Sequence, residues 1–360
     1  QPGTLTYGET GDYYTSVAPV NDVITLPFAS GDQSVSLTVF AGSAAAIQED
    51  KTLGITISED SGNTFSPGVT NQLTVTFAEN FISPGASLSV DVTKEFTKRG
   101  YIDLSKAEFS VVDFDNYDLG FQNGSGFYVT MNESDKTMAR QLSKNDLNAV
   151  TDADTVGFAA VMKIPAPNFD PSTGSVAWID TPDGNLETTA FGEISATDED
   201  NLVFIVKRDN GNWKKVRVLR STDGYVLQHA DISATNFQTI NISKNDAYES
   251  VTVNLDQGIV EATPENTRWD FMYGKYTEIL NLGGPGADIP YEFNDYIISN
   301  RNDVSIAMVL TENETYADFT AEDATGLTFA SEINALGSQW RQGGGPSSAP
   351  AVFQDRFFVL

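Results

Sequence analysis

Between Val20 and Val92 the chain is written in short runs that alternate apolar and polar residues: DVITLPF, SVSLTVF, LGITI, QLTVTF and SLSVDV. Each is bounded by Gly, Pro, Asp, Asn or Ser. A period of two sends successive side chains to opposite faces, so each run can bury one face as a strand but cannot make an amphipathic helix. With turn signals about every 8 to 12 residues, the spacing predicts an Ig-like β-sandwich over residues 20–98, preceded by a polar tether over 1–19.

The segment KEFTKRG (94–100) reads as a junction, and the same texture resumes after it in YIDLSKAEFSVVDFDNYDLGF, GFYVTMN, VGFAAVMKI, NLVFIVKR, WKKVRVL and GYVLQHADI. Helical periodicity is confined to SKNDLNAV (143–150), with Ser143 as its cap, and TFASEINAL (328–336). The predicted fold class is therefore all-β throughout. At 360 residues, with 40% hydrophobic and 11% aromatic side chains, the chain has the material for more than one folded core.

Composition removes many chemistries. The chain has no Cys, which excludes disulfides, thiolate metal sites and Cys nucleophiles. With one His, zinc sites built from several imidazoles are excluded, as is any catalytic triad that does not use His229. The 50 Asp and Glu against 21 Lys and Arg give a net charge of -29, which repels phosphate backbones and anionic lipid, so neither nucleic acid nor direct membrane binding is expected. No apolar run of about 18 residues is present to span a bilayer.

An internal repeat underlies the region after the junction. YIDLSKAEFSVVDFDNYDLGF aligns with TVNLDQGIVEATPENTRWDFM, placing Leu104 over Leu255, Tyr117 over Trp269 and Asp118 over Asp270, at separations of 151, 152 and 152. VFIV (203–206) lies 154 positions before FFVL (357–360). Residues 99–245 and 246–360 are thus expected to be related halves.

The second half, through TVNLDQGIVEATPENTRWDFMYGKYTEIL, IPYEFNDYIISNRNDVSIAMVL, INALGSQWRQ and DRFFVL, resembles the HmuY-like family of Bacteroidetes surface lipoproteins. The first half resembles it through YIDLSKAEF, NYDLGF, FYVTMN, VFIVKRDNGNWKKVRVL and GYVLQHADI, so the likeness covers about residues 100–360. The resemblance implies an all-β protein held at the outer-membrane surface by a lipid on an N-terminal Cys. The expectation is that the sequence begins after its signal and lipobox. It also implies capture of haem for a TonB-dependent outer-membrane receptor. The prototype's two His ligands are not matched: QWRQGGGPSSAPAV, around the late Trp340, holds neither His nor Met.

The ligand-binding candidates are Met308, where a first axial ligand is expected from the likeness, Trp340 and Gln342 beside the expected cleft, and His229 as the lone imidazole. Strand alternation also makes His229 a half-buried or surface imidazole hydrogen-bonded to its neighbours, and the methionines core fillers. The pair Trp269–Asp270 reads as structural, the Trp buried and the Asp capping a turn or pairing with Arg268 or Lys275. Lys207, Arg208, Lys214, Lys215, Arg217 and Arg220 read as one basic hairpin face. Asp152, Asp154 and the 198–200 acidic run lack calcium-loop spacing. Three functions follow: capture of haem, a porphyrin or a small apolar ligand; a structural or adhesive module recognising protein or glycan; and, third, a carboxylate hydrolase, for which no motif singles out a pair.

Overall fold

The structure is a computed structural model, and it describes residues 5, 7–8, 11, 13–27, 36–41, 51–56, 72–77, 88–93, 95–157, 176–208, 211–281, 288–302, 304–343 and 348–360. The chain divides into two compact units, Gln1–Leu88 and Ser89–Leu360. Among the described residues most regular elements are strands in antiparallel ladders, as the alternating runs predict, and the helical elements are single short turns.

In the first unit β1 (Tyr13–Thr15) pairs with β2 (Val39–Ala41), and β3 (Lys51–Thr56) with β4 (Gln72–Phe77). Leu5, Tyr13 and Leu53 are buried together, with Val39 and Ile55 packed on them. Residues 13–15, inside the expected tether, thus belong to a ladder, whereas 88–92 of SLSVDV carry no strand. Much of the expected Ig-like span lies outside the described residues.

Among the described residues the second unit holds three sheets and two short ribbons. Sheet A has the order β15 (Gly258–Val260), β14 (Ser250–Asn254), β7 (Leu119–Gln122), β8 (Val129–Met131). Sheet B runs β6 (Glu108–Asp113), β5 (Lys98–Asp103), β16 (Phe271–Asn281), β17 (Asp288–Ser299). Sheet C runs β9 (Met138–Gln141), β10 (Phe204–Lys207), β11 (Trp213–Ser221), β12 (Gly224–Asp231), β13 (Gln238–Ser243). The ribbons are β18 (Ala307–Leu310) with β21 (Arg356–Val359), and β19 (Arg341–Gln342) with β20 (Ala351–Val352). Gly274 lets β16 lie close to β5: a Cβ there would stand 2.8 Å from Cβ of Arg99.

The duplication is built into these ladders as an exchange. Each related half gives one hairpin to sheet A and one to sheet B. The junction registers coincide: Leu119 faces Val253 in A as Phe271 faces Ile102 in B. The N–H of Asp118 donates to Val253 O and that of Asp270 to Ile102 O. Asp118 Oδ2 accepts from the N–H of Leu255 at 2.6 Å, and Asp270 Oδ2 from that of Leu104 at 2.7 Å. Asn132 then donates to the carbonyls of Phe114 and Tyr117, as Asn300 does to those of Asn266 and Trp269. The expected alignment of Asp118 with Asp270 and of Tyr117 with Trp269 therefore has a geometric counterpart, with each half capping the other's turn.

The equivalence continues outward. Thr151 with Asp154 forms a capping box, and so does Thr320 with Asp323, 169 positions on. The N–H of Leu142 donates to Val203 O, and that of Thr311 to Asp355 O. These fix β9 against β18 at 169 and β10 against β21 at 152, two less than the 154 expected for VFIV. An even slip keeps every side chain on its face, so the short apolar pattern cannot distinguish the two.

Two local expectations are corrected. SKNDLNAV makes only a short 3-10 turn at Leu147–Ala149, capped by Asp146 rather than Ser143. Residues 328–336 form no helix; the one α-helical turn among the described residues, α1 (Ala321–Ala324), precedes them.

Candidate functional site

The four expected ligand-binding residues are distributed over separate elements. His229 sits in β12 between Val216 and Gln238; it is buried rather than half-buried or at the surface as expected, and its Nε2 has no hydrogen-bond partner among the described residues. Burial, and then the charge of Lys214, hold its pKa below the ordinary imidazole value, so it stands as a neutral wall residue. Met308 lies on β18 opposite Phe358, with an Arg356 guanidinium nitrogen 3.8 Å from its sulfur. Trp340 donates its indole N–H to the carbonyl of Asp295 at 3.2 Å and meets the ring of Tyr273 edge-on. Gln342 is exposed on β19, opposite Ala351. Trp340 and Gln342 are thus neighbours beside β17, whose Asp295 also holds Arg341, while Met308 and His229 belong to different ladders.

The expected basic face is taken apart by the fold. Arg208 is buried between Asp118 and Asp256, and Lys214 bridges Asp231 and Asp256. Lys215, fully buried, donates to the carbonyls of Val150 and Ala234. Arg217 binds the carbonyls of Asn201 and Asp198, and Arg220 binds that of Ile194 and the carboxylate of Glu193. These cations fasten loops to sheet C, because a buried charge must be paired or hydrogen-bonded. Asp154, likewise, is occupied by Lys144 and the N–H of Thr151.

Sheets A and B meet across a cavity of about 90 Å³ lined by both apolar and charged side chains, room for about three water molecules and far too small for a porphyrin. Both halves line it, with Arg99, Glu133 and Asp180 from the first and Glu249, Trp269 and Arg301 from the second. Trp269 is therefore buried, as expected, in a cluster with Tyr101 and Met272 that borders this cavity. Its N–H, the Nε of Arg99 and the hydroxyl of Thr189 have no hydrogen-bond partner among the described residues. Burial pushes the Asp180 carboxyl up to about 6, although it accepts from the N–H of Met131 and Ala190. Burial, then the nearby charge of Asp180, raises Glu133 well above the ordinary carboxyl range. Glu133 lines this cavity and keeps some accessible surface. Arg301 is satisfied by Glu249 at 2.7 Å.

A second feature emerges when the two halves are compared position by position. In the first sandwich, sheet C packs on sheet A through Leu119, Phe121, Val129, Ala139, Phe204, Val206, Val216, Val218, Leu227, Val253 and Leu255, all in one buried cluster. The second sandwich has the ribbon β18–β21 at the place of β9–β10, and no ladder joins β21 to a strand at the place of β11 among the described residues. Exposure changes accordingly. Ala139 is 1% exposed and its counterpart Met308 41%; Leu255 is 2% exposed and its counterpart Leu104 44%. Phe358 and Arg356, counterparts of Val206 and Phe204, are half-buried, as are Phe271 and Tyr273, counterparts of Leu119 and Phe121. Phe109 and Val111, on edge strand β6 and on the same face of sheet B, are exposed. Trp340 covers part of this face at Tyr273. Sequence reasoning singled out Met308 but not Phe358, Phe271 or Tyr273; the repeat alignment, extended past Asp270, was the signal that could have found them.

Comparisons with protein-family models, with curated proteins and with solved structures gave no match.

Proposed function

We propose that this chain is a non-catalytic binding protein of the bacterial cell surface, and that it takes an apolar ligand into its second sandwich. One observation carries the reading: Met308 stands 41% exposed where the duplicate half has Ala139 at 1%. An exposed apolar face at the site of a core is unfavourable in water by about 25 cal/mol per Å² until something covers it. The likeness of WDFMYGKY, GSQW and RFFV to HmuY-like lipoproteins supports the setting: a lipid anchor at the outer membrane and hand-over to a TonB-dependent receptor.

For haem or another porphyrin, Met308 offers one soft ligand, and its thioether lies on the exposed wall. The test is a titration of the protein with Nile red, a neutral apolar dye, and with haemin in ferric and dithionite-reduced forms. Saturable dye binding that Met308→Glu weakens is expected. A one-to-one Soret shift lost in Met308→Ala would identify haem, whereas dye binding without that shift leaves an apolar ligand of another kind. Absence of both signals would overturn the proposal.

A further inference from the structure

We infer that the cavity between sheets A and B is a binding site for a small monovalent anion, a halide or a small carboxylate such as formate, held by Arg99, Trp269 and Thr189. The inference does not rest on the apolar site of the second sandwich.

Arg99, on β5, is 2% exposed, yet among the described residues no carboxylate stands within ion-pair distance of it. Its Nη1 donates to Oδ1 of Asn132 at 3.3 Å and its Nη2 to Oδ1 of Asn116 at 3.0 Å, both neutral amides. The rings of Tyr117 and Tyr101 lie 4.8 and 5.8 Å from the guanidinium carbon, and Asp135 acts on the charge from beyond pairing distance. Arg208 and Arg301, by contrast, hold carboxylates at 2.6 and 2.7 Å. A buried charge is costly unless it is both paired and hydrogen-bonded, so Arg99 lacks a counter-charge.

The unpartnered groups specify what fits. Arg99 Nε, Trp269 Nε1 and the Thr189 hydroxyl belong to residues that line the cavity, and none has a hydrogen-bond partner among the described residues. Trp269 and Thr189, at 5% and 8% exposed, are as deeply placed as Arg99. Indole and guanidinium N–H groups donate and never accept, so what satisfies them must offer lone pairs, which excludes a metal cation or an ammonium group. Water would accept these bonds but leave Arg99 without a counter-charge; a monovalent anion supplies both. About 90 Å³ admits a halide with a water beside it, or a carboxylate of few atoms, and excludes a sugar acid or a nucleotide. The other charged groups of the lining leave place for one negative charge. Glu249 is paired with Arg301, while burial holds the carboxyls of Glu133 and Asp180 above their ordinary range and so favours their neutral forms. An anion bound there would join Arg99 and Thr189 of the first half to Trp269 of the second.

The test is urea unfolding of the full chain, followed by tryptophan fluorescence at pH 5, below the Asp180 pKa of about 6. Sodium gluconate is exchanged for sodium chloride, bromide or formate at constant ionic strength. Gluconate is too large for the cavity, so the exchange separates occupancy from screening of the net charge of -29. Expected is a midpoint that rises and then saturates with the small anion. Trp269→Phe keeps a ring beside Tyr101 and removes the N–H, so it should move that rise to about tenfold higher anion concentration, the loss of one hydrogen bond to a charged group. Should the Phe variant fail to fold, Thr189→Val carries the same expectation. A rise with chloride and bromide assigns a halide and a rise with formate alone a carboxylate, and either upholds the proposal. Equal midpoints in all four salts, or a rise that neither variant moves, overturns it and leaves water as the occupant.

Discussion

Asp118 and Asp270 occupy equivalent positions and make the same bond, a carboxylate oxygen on the N–H of a turn supplied by the other half. They differ in what surrounds the bond. Asp118 is fully buried, its acceptor role serves the buried Leu255, and its other oxygen lies 2.6 Å from the guanidinium of Arg208. Asp118→Ala leaves a buried donor unpaired, about 1–3 kcal/mol, and breaks a buried ion pair, for which about 3–5 kcal/mol is usual. Arg208 retains Asp256, so the overlapping sum is set near the lower end, at about 3–4 kcal/mol. Asp270 serves Leu104, whose exposed N–H can turn to water, so Asp270→Ala should lose only about 1 kcal/mol. For a unit of this size these are melting-temperature drops of about 10 °C and about 3 °C. All four Trp, at 178, 213, 269 and 340, lie in Ser89–Leu360, so intrinsic fluorescence during urea or thermal unfolding follows that unit alone. Equal losses, or a larger loss at Asp270, would refute the argument that burial of the capped group sets the value of the cap.

The asparagines that follow provide a contrast. Asn132 and Asn300 are both buried and each holds two carbonyls, so Asn132→Ala and Asn300→Ala should lose similar amounts, about 2–3 kcal/mol, in the same unfolding assay. Asp180 should give a pH signature. Its carboxyl titrates near 6 in the folded protein, above the ordinary value, so the folded state holds the proton more tightly than the unfolded chain. Its contribution is full below about pH 4 and falls by about 3 kcal/mol as pH rises through about 6. Urea midpoints from pH 4 to 7 should show that fall in the wild type and a flatter profile in Asp180→Asn, with matching profiles counting against a buried, proton-holding Asp180. His229→Gln should leave Nile red and haemin titrations unchanged, since His229 is a wall residue of the first sandwich; loss of either signal would relocate the site.

Strands were legible because a period of two is a local property. Runs such as LGITI, FYVTMN and WKKVRVL specify a buried and an exposed face without reference to the rest of the chain. The same locality made Asp118 and Asp270 recognisable as a repeat, since spacing survives in the text. Pairing across some 150 residues was not legible: nothing in YIDL or TVNL says that each joins the other half's strand. The six cations of the first hairpin look like one surface in the sequence, yet the fold pairs five of them, Arg208, Lys214, Lys215, Arg217 and Arg220, with carbonyls and carboxylates drawn largely from other segments.

By itself, then, the sequence determined the all-β class, the duplication, and the exclusion of Cys- and multi-His chemistry. Only the tertiary structure decided which copy of each equivalent position is core. Ala139 and Met308, or Leu255 and Leu104, have similar local surroundings in the chain. What separates them is whether a further layer of strands covers the face, and burial is a property of everything that packs on a residue rather than of the residue and its neighbours in sequence.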